Sequence, residues 1–337
     1  MIKYPLLKEN AVIGVTAPSS GVPEALHPIL KEAVDTLSKE EFSLNVLDTP
    51  WIQSKAKSAP AAVRAEELQQ LITDEQTDII IPPWGGELLI EILEHLDFNS
   101  FKKKWILGYS DTSLLLLAMT LTTGTATAHG TNLVDLRGKD TDATTAGWKK
   151  VLSTQYGDSV TQYSSEKYQK EWQHENPTPH IFHLTEDTKW KTTGNKDVKV
   201  TGRLLGGCID TIHHLAGTPF GDVKHFSETF IDNEPILWYF ENCDMSAKGL
   251  RRSIVQMKLS GWFDNTSGIM FGRSESGKVT EDYTEYDVYQ DIADELNIPV
   301  IYDIDCGHVP PQVTLINGAS ATVETTAGRG KITQTFN

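Results

Sequence analysis

The first third of the chain alternates short apolar segments with longer segments of helical spacing, and this alternation restricts the fold more than any other feature. The apolar segments have the length and composition of buried strands. They lie at residues 11–17, 44–47, 78–81 and 105–107. Segments with helical spacing lie at residues 28–39, 61–72, 87–96 and 114–119. Strands that alternate with helices predict a mostly parallel, doubly wound α/β sheet. Within the second helix, we expect Arg64 and Glu67 to be exposed.

The composition changes after about residue 147. Residues 153–200 are polar and rich in Thr, Lys, Glu and Gln, which predicts a crossover and loop region. Strands are then predicted at 235–240, 267–272 and 299–302, and helices at 250–259 and 286–296. A tail of alternating β-branched and polar residues predicts hairpins, so the second half is expected to be α+β. The expected units are an N-terminal domain (1–150), a crossover with a substrate loop (151–200) and a C-terminal domain (201–337).

Bulk composition restricts the partners and the compartment. The 337 residues include 46 acidic and 30 basic side chains, for a formal charge of −16. This acidic surplus argues against a nucleic-acid partner, which needs a basic footprint. The chain has no apolar signal segment at its start, and no run approaches the roughly 18 apolar residues of a membrane span. Three widely spaced cysteines make neither a zinc pattern nor a disulfide framework. We expect a cytoplasmic enzyme that acts on small solutes, without membrane contact.

A turn with the sequence Gly-Tyr-Ser-Asp-Thr-Ser, at residues 108–113, lies between an apolar strand and an apolar helix. A serine in such a turn stands at the carboxyl end of a strand and the amino end of a helix. Open α/β sheets bind ligands at this edge, and helix amides there stabilise developing negative charge. We therefore predict that Ser110 is a catalytic nucleophile. Nucleotide binding is the alternative for such a turn, but the chain has neither G-x-G-x-x-G nor a phosphate-loop lysine motif.

A hydroxyl nucleophile needs a base, and the base needs an orienting acid. Glu241 directly follows the predicted strand 235–240, and His308 follows the strand 299–302 by a short connection. Taken singly, Glu241 could be a solvated strand end and His308 a structural histidine. Side chains at the carboxyl ends of strands can nevertheless reach one cleft, so together they predict the acid and the base.

Two further features suggest how a developing oxyanion would be held. Gly85 and Gly86 follow the third predicted strand, and two glycines let backbone N–H groups approach a ligand. A tight strand-to-helix turn would also explain them. The amide of Asp111, next to Ser110, is the second predicted donor. The G-x-S-x-G elbow of α/β-hydrolases is not met, because Thr112 replaces its second glycine.

These motifs resemble those of the LD-carboxypeptidase and microcin C self-immunity serine peptidases. The nucleophile motif G-Y-S-D is similar to residues 108–111, and a Gly-Gly turn precedes it at 85–86. A strand end similar to that of the family's glutamate lies at 240–242, and the histidine segment resembles C-G-H-V-P-P at 306–311. The likeness runs from about residue 12 to about residue 323.

The resemblance implies a fold, a set of roles and an assembly. The expected fold is a Rossmann-like, mostly parallel sheet domain followed by a smaller, α+β, barrel-like domain. Ser110 would be the nucleophile, His308 the general base and Glu241 its orienting carboxylate, with the amides of Gly85, Gly86 and Asp111 as the oxyanion hole. The family is usually dimeric and uses no metal or other cofactor, so a homodimer is expected.

The resemblance leaves two substrate classes open: L,D-linked murein tetrapeptides, and aminoacyl or peptidyl nucleotides. The polar loop at 165–200 is similar to that of the self-immunity branch, so Trp190 would stack on adenine unless it packs in its own domain. Glu275 matches a position that can meet a substrate ammonium, although it could also be a surface charge. Cys208 and Glu87 depart from the family pattern, and a carboxylate at 87 would disfavour a free substrate carboxylate. A non-catalytic binding protein on the same fold is a third possibility, and it predicts that the three catalytic candidates lie far apart.

Overall fold

The computed structural model describes residues 1–40, 42–171, 181–274 and 282–337. The strands in these ranges are β1 (Val12–Val15), β2 (Ser43–Val46), β3 (Ile79–Ile80), β4 (Trp105–Gly108), β5 (Thr127–His129), β6 (Ser159–Tyr163), β7 (Lys167–Tyr168), β8 (Glu186–Asp187), β9 (Lys191–Thr192), β10 (Val198–Cys208), β11 (Ile236–Glu241), β12 (Thr266–Gly272), β13 (Val300–Ile304), β14 (Leu315–Asn317), β15 (Ser320–Thr326) and β16 (Arg329–Thr335).

Helices cover much of the remaining described chain. They are α1 (His27–Lys39), α2 (Ala61–Thr73), α3 (Thr112–Thr123), α4 (Ala143–Ala146), α5 (Trp148–Leu152), α6 (Ile209–Ile212), α7 (Val223–Phe230), α8 (Ala247–Leu259) and α9 (Glu285–Leu296). Local sequence explains several of them. Helix α9 begins at a capping box formed by Thr284 and Asp287, and Ser246 caps α8 by accepting the amide of Gly249. No helix within the described ranges is both long and apolar enough to cross a membrane.

The first sheet has six strands in the order β14-β5-β4-β3-β1-β2. Its first five strands in sequence pair in parallel, and β14 is antiparallel to β5. All four residues of β4 are buried, as expected of a central strand covered on both faces. The predicted mostly parallel N-terminal sheet is therefore confirmed.

Helix α3, directly after the Ser110 turn, is buried on nearly every side. Ten of its twelve residues are buried, from Thr112 to Leu121. An all-round apolar helix belongs in the interior, and α3 packs against both the first sheet and β10 of the second. It ends at Gly124, whose φ of 66° is the left-handed conformation common at helix ends. The element that carries the predicted nucleophile is thus held between the two sheets.

The second sheet has eight strands in the order β6-β16-β15-β10-β11-β12-β13-β9. Strands β10 to β13 are parallel, and the strands on either side of them are antiparallel. The carboxyl ends of β11 and β13 therefore lie at one edge, where Glu241 ends β11. The expected second sheet domain is confirmed, but its described strands form an open sheet rather than a closed barrel.

Two local features differ from the sequence-based expectations. Residues Leu89–His95 form a 3-10 helix rather than an α-helix. The side chain of Arg64 is completely buried, and its guanidinium bonds the carbonyls of Ala59, Pro18 and Leu88 and the carboxylate of Glu91. Helical spacing alone indicated a solvent face. The backbone carbonyls that satisfy the guanidinium come from loops whose positions depend on the tertiary fold.

Candidate active site

Ser110 occupies a sharp elbow between β4 and α3. Its φ is +62°, a conformation that is uncommon for a residue other than glycine. Backbone strain of this kind is concentrated at functional sites, and the nucleophile elbow of α/β-hydrolases is one such strained strand-to-helix turn. The elbow directs the Ser110 hydroxyl away from the sheet edge and toward the segment that carries His308.

The three predicted catalytic side chains lie in one chain of hydrogen bonds. Nε2 of His308 is 3.1 Å from Oγ of Ser110, and Nδ1 of His308 is 2.8 Å from Oε2 of Glu241. Both distances lie within the range expected of a nucleophile, a base and its orienting acid. The three residues are far apart in sequence, so only the fold brings them together. This arrangement is the opposite of the separation that a non-catalytic binding protein predicts.

Glu241 and His308 each stabilise the charged form of the other. Burial opposes the ionised form of Glu241, but the positive charge and hydrogen bond of His308 outweigh it and lower the pKa of the carboxyl. Burial likewise opposes the charged form of His308. The Glu241 carboxylate overcomes this effect, with a smaller contribution from the Cys243 side chain, and raises the pKa of His308 well above 6.5. The Glu241 carboxylate therefore stabilises a protonated His308 imidazole, as the orienting acid of a general base does.

Gly307 allows His308 to reach Glu241. Its φ is +94°, and a Cβ at this position would lie 2.5 Å from Cβ and 2.6 Å from Oε2 of Glu241. A side chain would therefore be strained by the backbone and would also strike the carboxylate. Glycine is the residue that fits here without displacing the acid.

The Gly85–Gly86 turn lies against the Ser110 elbow. A Cβ on Gly85 would lie 2.7 Å from the Ser110 hydroxyl oxygen and 2.8 Å from the amide nitrogen of Asp111. Within the described ranges, the amides of Gly86 and Asp111 donate to no protein group. Close backbone approach and free N–H groups beside a hydroxyl are what an oxyanion hole requires. The predicted oxyanion donors therefore lie beside the predicted nucleophile.

The Asp111 side chain joins this turn to the elbow, a contact that the sequence did not predict. Its Oδ2 accepts hydrogen bonds from Oγ of Ser19, at 2.5 Å, and from the amide of Leu89, at 2.8 Å. Burial raises the pKa of Asp111, although these two bonds and the nearby Arg64 charge oppose that effect. The loop after β1, the segment after the Gly-Gly turn and the start of α3 thus share one buried acceptor.

Several uncharged groups surround the Glu241–His308 pair. The Tyr109 ring lies 5.1 Å from the His308 ring, centroid to centroid. Burial lowers the pKa of the enclosed His129 to about 4, so this imidazole is neutral. Cys306 lies 3.8 Å from Nδ1 of His129, and Cys208 is a buried free thiol that also contacts Asp210. Sequence reasoning missed His129 as a neighbour of the site, since nothing in the sequence joins residue 129 to residue 306.

The hydroxyl of Ser110 opens into a cavity of about 480 Å³. Its lining residues are Ser20, Gly21, Pro23, Gln53, Ala56, Trp84, Gly85, Gly86, Glu87, Tyr109, Ser110, Asn132 and His308. Glu87 is among them, and its influence on the charge of the pocket stays a prediction. No group of three or more His, Cys, Asp or Glu side chains in the described ranges could hold a metal ion.

Trp190 lies elsewhere, in contrast to the expectation that it stacks on a ligand. Its side chain is only 2% exposed, packs in the core of the second sheet and donates a hydrogen bond of 2.9 Å to Asp305. Asp305 also pairs with the buried Arg273 at 2.8 Å. The ring is therefore part of the support beneath the Cys306–His308 segment and does not line the cavity. Glu275 lies outside the described residues.

Comparison with known protein families identifies the family to which this chain belongs. A family model described as the LD-carboxypeptidase N-terminal domain matches residues 13–130, and one described as the LD-carboxypeptidase C-terminal domain matches residues 201–323.

The chain belongs to the LD-carboxypeptidase family.

Proteins similar to this chain include a microcin self-immunity protein and a muramoyltetrapeptide carboxypeptidase. The chain is 27% identical over 274 residues to the Microcin C7 self-immunity protein MccF of Escherichia coli, covering 80% of this chain and 77% of that one. A solved structure of MccF in complex with aspartyl sulfamoyl adenosine superposes with a TM-score of 0.83 at 22% identity, covering 100% of this chain and 99% of the other. The crystal structure of a muramoyltetrapeptide carboxypeptidase from Oxalobacter formigenes superposes with a TM-score of 0.74 at 20% identity, covering 96% of this chain and 99% of the other. The family and its carboxypeptidase relatives make the protein a hydrolase.

Proposed function

We propose that this protein is a serine-type amidase that uses Ser110, His308 and Glu241. The observation that carries the proposal is the continuous hydrogen-bonded path from Ser110 through His308 to Glu241, with both heavy-atom distances near 3 Å. A hydroxyl, an imidazole and a buried carboxylate in this order form the arrangement that acyl transfer needs.

In the proposed first half-reaction, Oγ of Ser110 attacks the carbonyl carbon of the amide and His308 Nε2 takes its proton. The amides of Gly86 and Asp111 would donate to the oxyanion of the tetrahedral intermediate. His308 then gives its proton to the leaving nitrogen, the C–N bond breaks, and the acyl group remains on Ser110. In the second half-reaction His308 takes a proton from water, which attacks the acyl carbon. The bond to Oγ then breaks, His308 returns the proton to Ser110, and the carboxylic acid product leaves.

We propose an aminoacyl or peptidyl nucleotide as the substrate, as in resistance to microcin C-type antibiotics or their detoxification. The similarity to MccF supports this choice. The described cavity lining has no lysine or arginine, whereas a carboxypeptidase must accommodate a free carboxylate next to the scissile bond. Hydrolysis of murein tetrapeptides is the second candidate, and the carboxypeptidase family models and relatives favour it.

The test is a side-by-side assay with aspartyl sulfamoyl adenosine and an L,D-linked murein tetrapeptide. We expect the wild-type protein to cleave the nucleotide analogue, and Ser110→Ala to lower turnover by roughly 10⁴-fold or more while leaving thermal stability intact. Cleavage of the tetrapeptide alone would contradict the proposed substrate but not the proposed chemistry. Full activity of Ser110→Ala would contradict the chemistry itself.

A further inference from the structure

Glu87 is an exposed, unpaired carboxylate that lines the cavity. It follows Gly86, a proposed oxyanion donor, by one residue and lines the same cavity as Ser110 and His308. The described part of the chain gives its side chain no hydrogen bond and no ion pair. Most surface carboxylates have no ligand, but few lie next to a strained serine and its imidazole. The position therefore offers a negative charge to whatever occupies the cavity.

The surroundings of Glu87 are acidic as well. Burial raises its pKa, and the negative charges of Asp111, Asp244 and Asp210 raise it further, against a smaller effect of His308. Two of these neighbours are already satisfied within the protein: Asp111 accepts from Ser19 and Leu89, and Asp210 accepts backbone amides of the segment after Glu241. Among the described lining residues, Glu87 is the one carboxylate, and its side chain accepts no hydrogen bond from a described protein group.

No lysine or arginine lines the described cavity. Lys55 and Lys57 flank the lining residue Ala56, but neither lines the cavity. Lys57 is paired with Glu91 at 3.0 Å. His308 is paired with Glu241. A cationic group of the ligand would therefore meet Glu87 without competition from a protein cation in the described lining.

We propose that Glu87 binds a free ammonium group on the acyl side of the scissile amide. This inference rests on the proposed function and narrows its substrate class to aminoacyl donors with an unblocked α-amine. The α-nitrogen is two bonds from the scissile carbonyl carbon, so it lies close to the Ser110 hydroxyl during the attack, in the cavity that Glu87 also lines. A carboxylate one residue after Gly86 is placed to meet it. A peptidyl donor, in which that nitrogen is acylated and neutral, lacks the charge that the pocket recognises.

The experiment compares alanyl sulfamoyl adenosine with its N-acetyl derivative, in which the α-nitrogen is neutral. We expect the wild-type protein to prefer the free amine by up to about fivefold in kcat/KM, since ion pairs of exposed side chains are worth at most about one such factor. Glu87→Gln should lose most of that preference by acting more slowly on the free amine, with the N-acetyl compound changed less than about twofold. The ratio of kcat/KM for the free amine to that for the N-acetyl compound should also decrease at high salt in the wild-type protein, because salt screens exposed charges.

The matched control is Glu94→Gln. Glu94 lies on the 3-10 helix that follows Glu87, its side chain is 81% exposed, and it does not line the cavity. This variant should keep the wild-type preference. An unchanged preference in Glu87→Gln, or a wild-type preference for the N-acetyl compound, would overturn the proposal.

A second measurement separates this inference from the proposed reaction. The two compounds are titrated by calorimetry into Ser110→Ala and into Ser110→Ala combined with Glu87→Gln. Tighter binding of the free amine that depends on Glu87 supports ammonium recognition even if the wild-type protein cleaves neither compound, in which case only the reaction is wrong. Equal binding of both compounds, or binding of neither, overturns ammonium recognition whatever the outcome of the cleavage assay.

Discussion

At the scale of single residues, the site depends on the charge of one buried carboxylate. Glu241 is completely enclosed at the end of β11, and its Oε2 accepts the Nδ1 hydrogen of His308. An acid in this position fixes the tautomer of the imidazole, so that Nε2 faces the serine as an acceptor. It also holds a proton on the ring, which raises the pKa of His308. The proposed activity would therefore depend on two properties of the Glu241–His308 interaction, orientation and charge.

The first prediction follows from this charge. The base must be neutral to accept a proton from Ser110, so kcat/KM should rise with pH through the pKa of His308, which lies above 6.5. Glu241→Gln removes the anion that favours the imidazolium, so the midpoint of the pH profile should move to lower pH. The plateau should fall by about 10³–10⁴-fold, because the amide can favour the wrong tautomer. A pH–rate profile of both proteins measures this, and an unmoved midpoint would contradict it.

Sequence reasoning located side chains that lie together most reliably where a motif and a strand end coincided, and the catalytic roles of these side chains stay predictions. Ser110, Glu241 and His308 each follow a short apolar strand, and parallel strands bring their carboxyl ends to one edge. The neighbours of the pair could not be predicted in this way. His129, Tyr109 and Cys306 meet only because β5 and the segment after β13 pack together. The burial of Trp190 and Arg64 has the same cause, since their hydrogen-bond partners are distant in sequence.

At the scale of elements, the connections that follow the strands place the candidate catalytic residues. Gly85 and Gly86 lie in the connection after β3, Ser110 lies between β4 and α3, and Gly307 lies in the connection after β13. Each connection contains a residue with positive φ, namely Gly86, Ser110 and Gly307. These backbone conformations help to place the three proposed catalytic side chains next to one another.

Alanine substitutions at two glycines, Gly307 and Gly157, test whether the connection after β13 places the Glu241 carboxylate. Gly307→Ala should destabilise the protein by about 1–3 kcal/mol from the left-handed backbone alone. It should also lower kcat, because the new Cβ would displace the Glu241 carboxylate. Gly157→Ala is the control: its φ of +92° is nearly the same, and a Cβ there would meet nothing within 4 Å.

Urea unfolding and steady-state kinetics separate the two effects. Gly307→Ala should lose more stability than Gly157→Ala, because only its Cβ would strike the buried Glu241, and only Gly307→Ala should lose turnover. Equal kcat values in the two variants would show that Gly307 has no part in placing the acid.

Periodicity predicted most elements but not their subtype. The 3.6-residue spacing located α1, α2, α8 and α9 to within a few residues of their observed ends. It could not separate the 3-10 helix at Leu89–His95 from an α-helix, because both place apolar side chains on one face. The bond from the Leu89 amide to Asp111 holds the start of this segment, and that bond depends on tertiary structure.

At the scale of the whole molecule, the two sheets share a core. Strand β14, from the C-terminal part of the chain, completes the edge of the first sheet beside β5. Arg203, near the middle of β10, donates to the carbonyls of Gly318 and Asn337 and to the hydroxyl of Tyr4. These contacts join the first residues, the last residues and the second sheet. The cleft around Ser110 therefore lies in a structure with continuous packing.

This continuity predicts a single unfolding transition. Tryptophan fluorescence, far-UV circular dichroism and residual activity should be lost at the same urea concentration, as cooperative unfolding requires. Early loss of activity together with a first fluorescence change, followed by a separate loss of secondary structure, would contradict a shared core.

The central claim is that Ser110 is the nucleophile, and covalent labelling tests it most directly. A fluorophosphonate should modify the wild-type protein at one site, and peptide mapping should place the added mass on Ser110. Labelling should be abolished in Ser110→Ala and strongly slowed in Glu241→Gln. An adduct on another residue, or equal labelling of Ser110→Ala, would contradict the account.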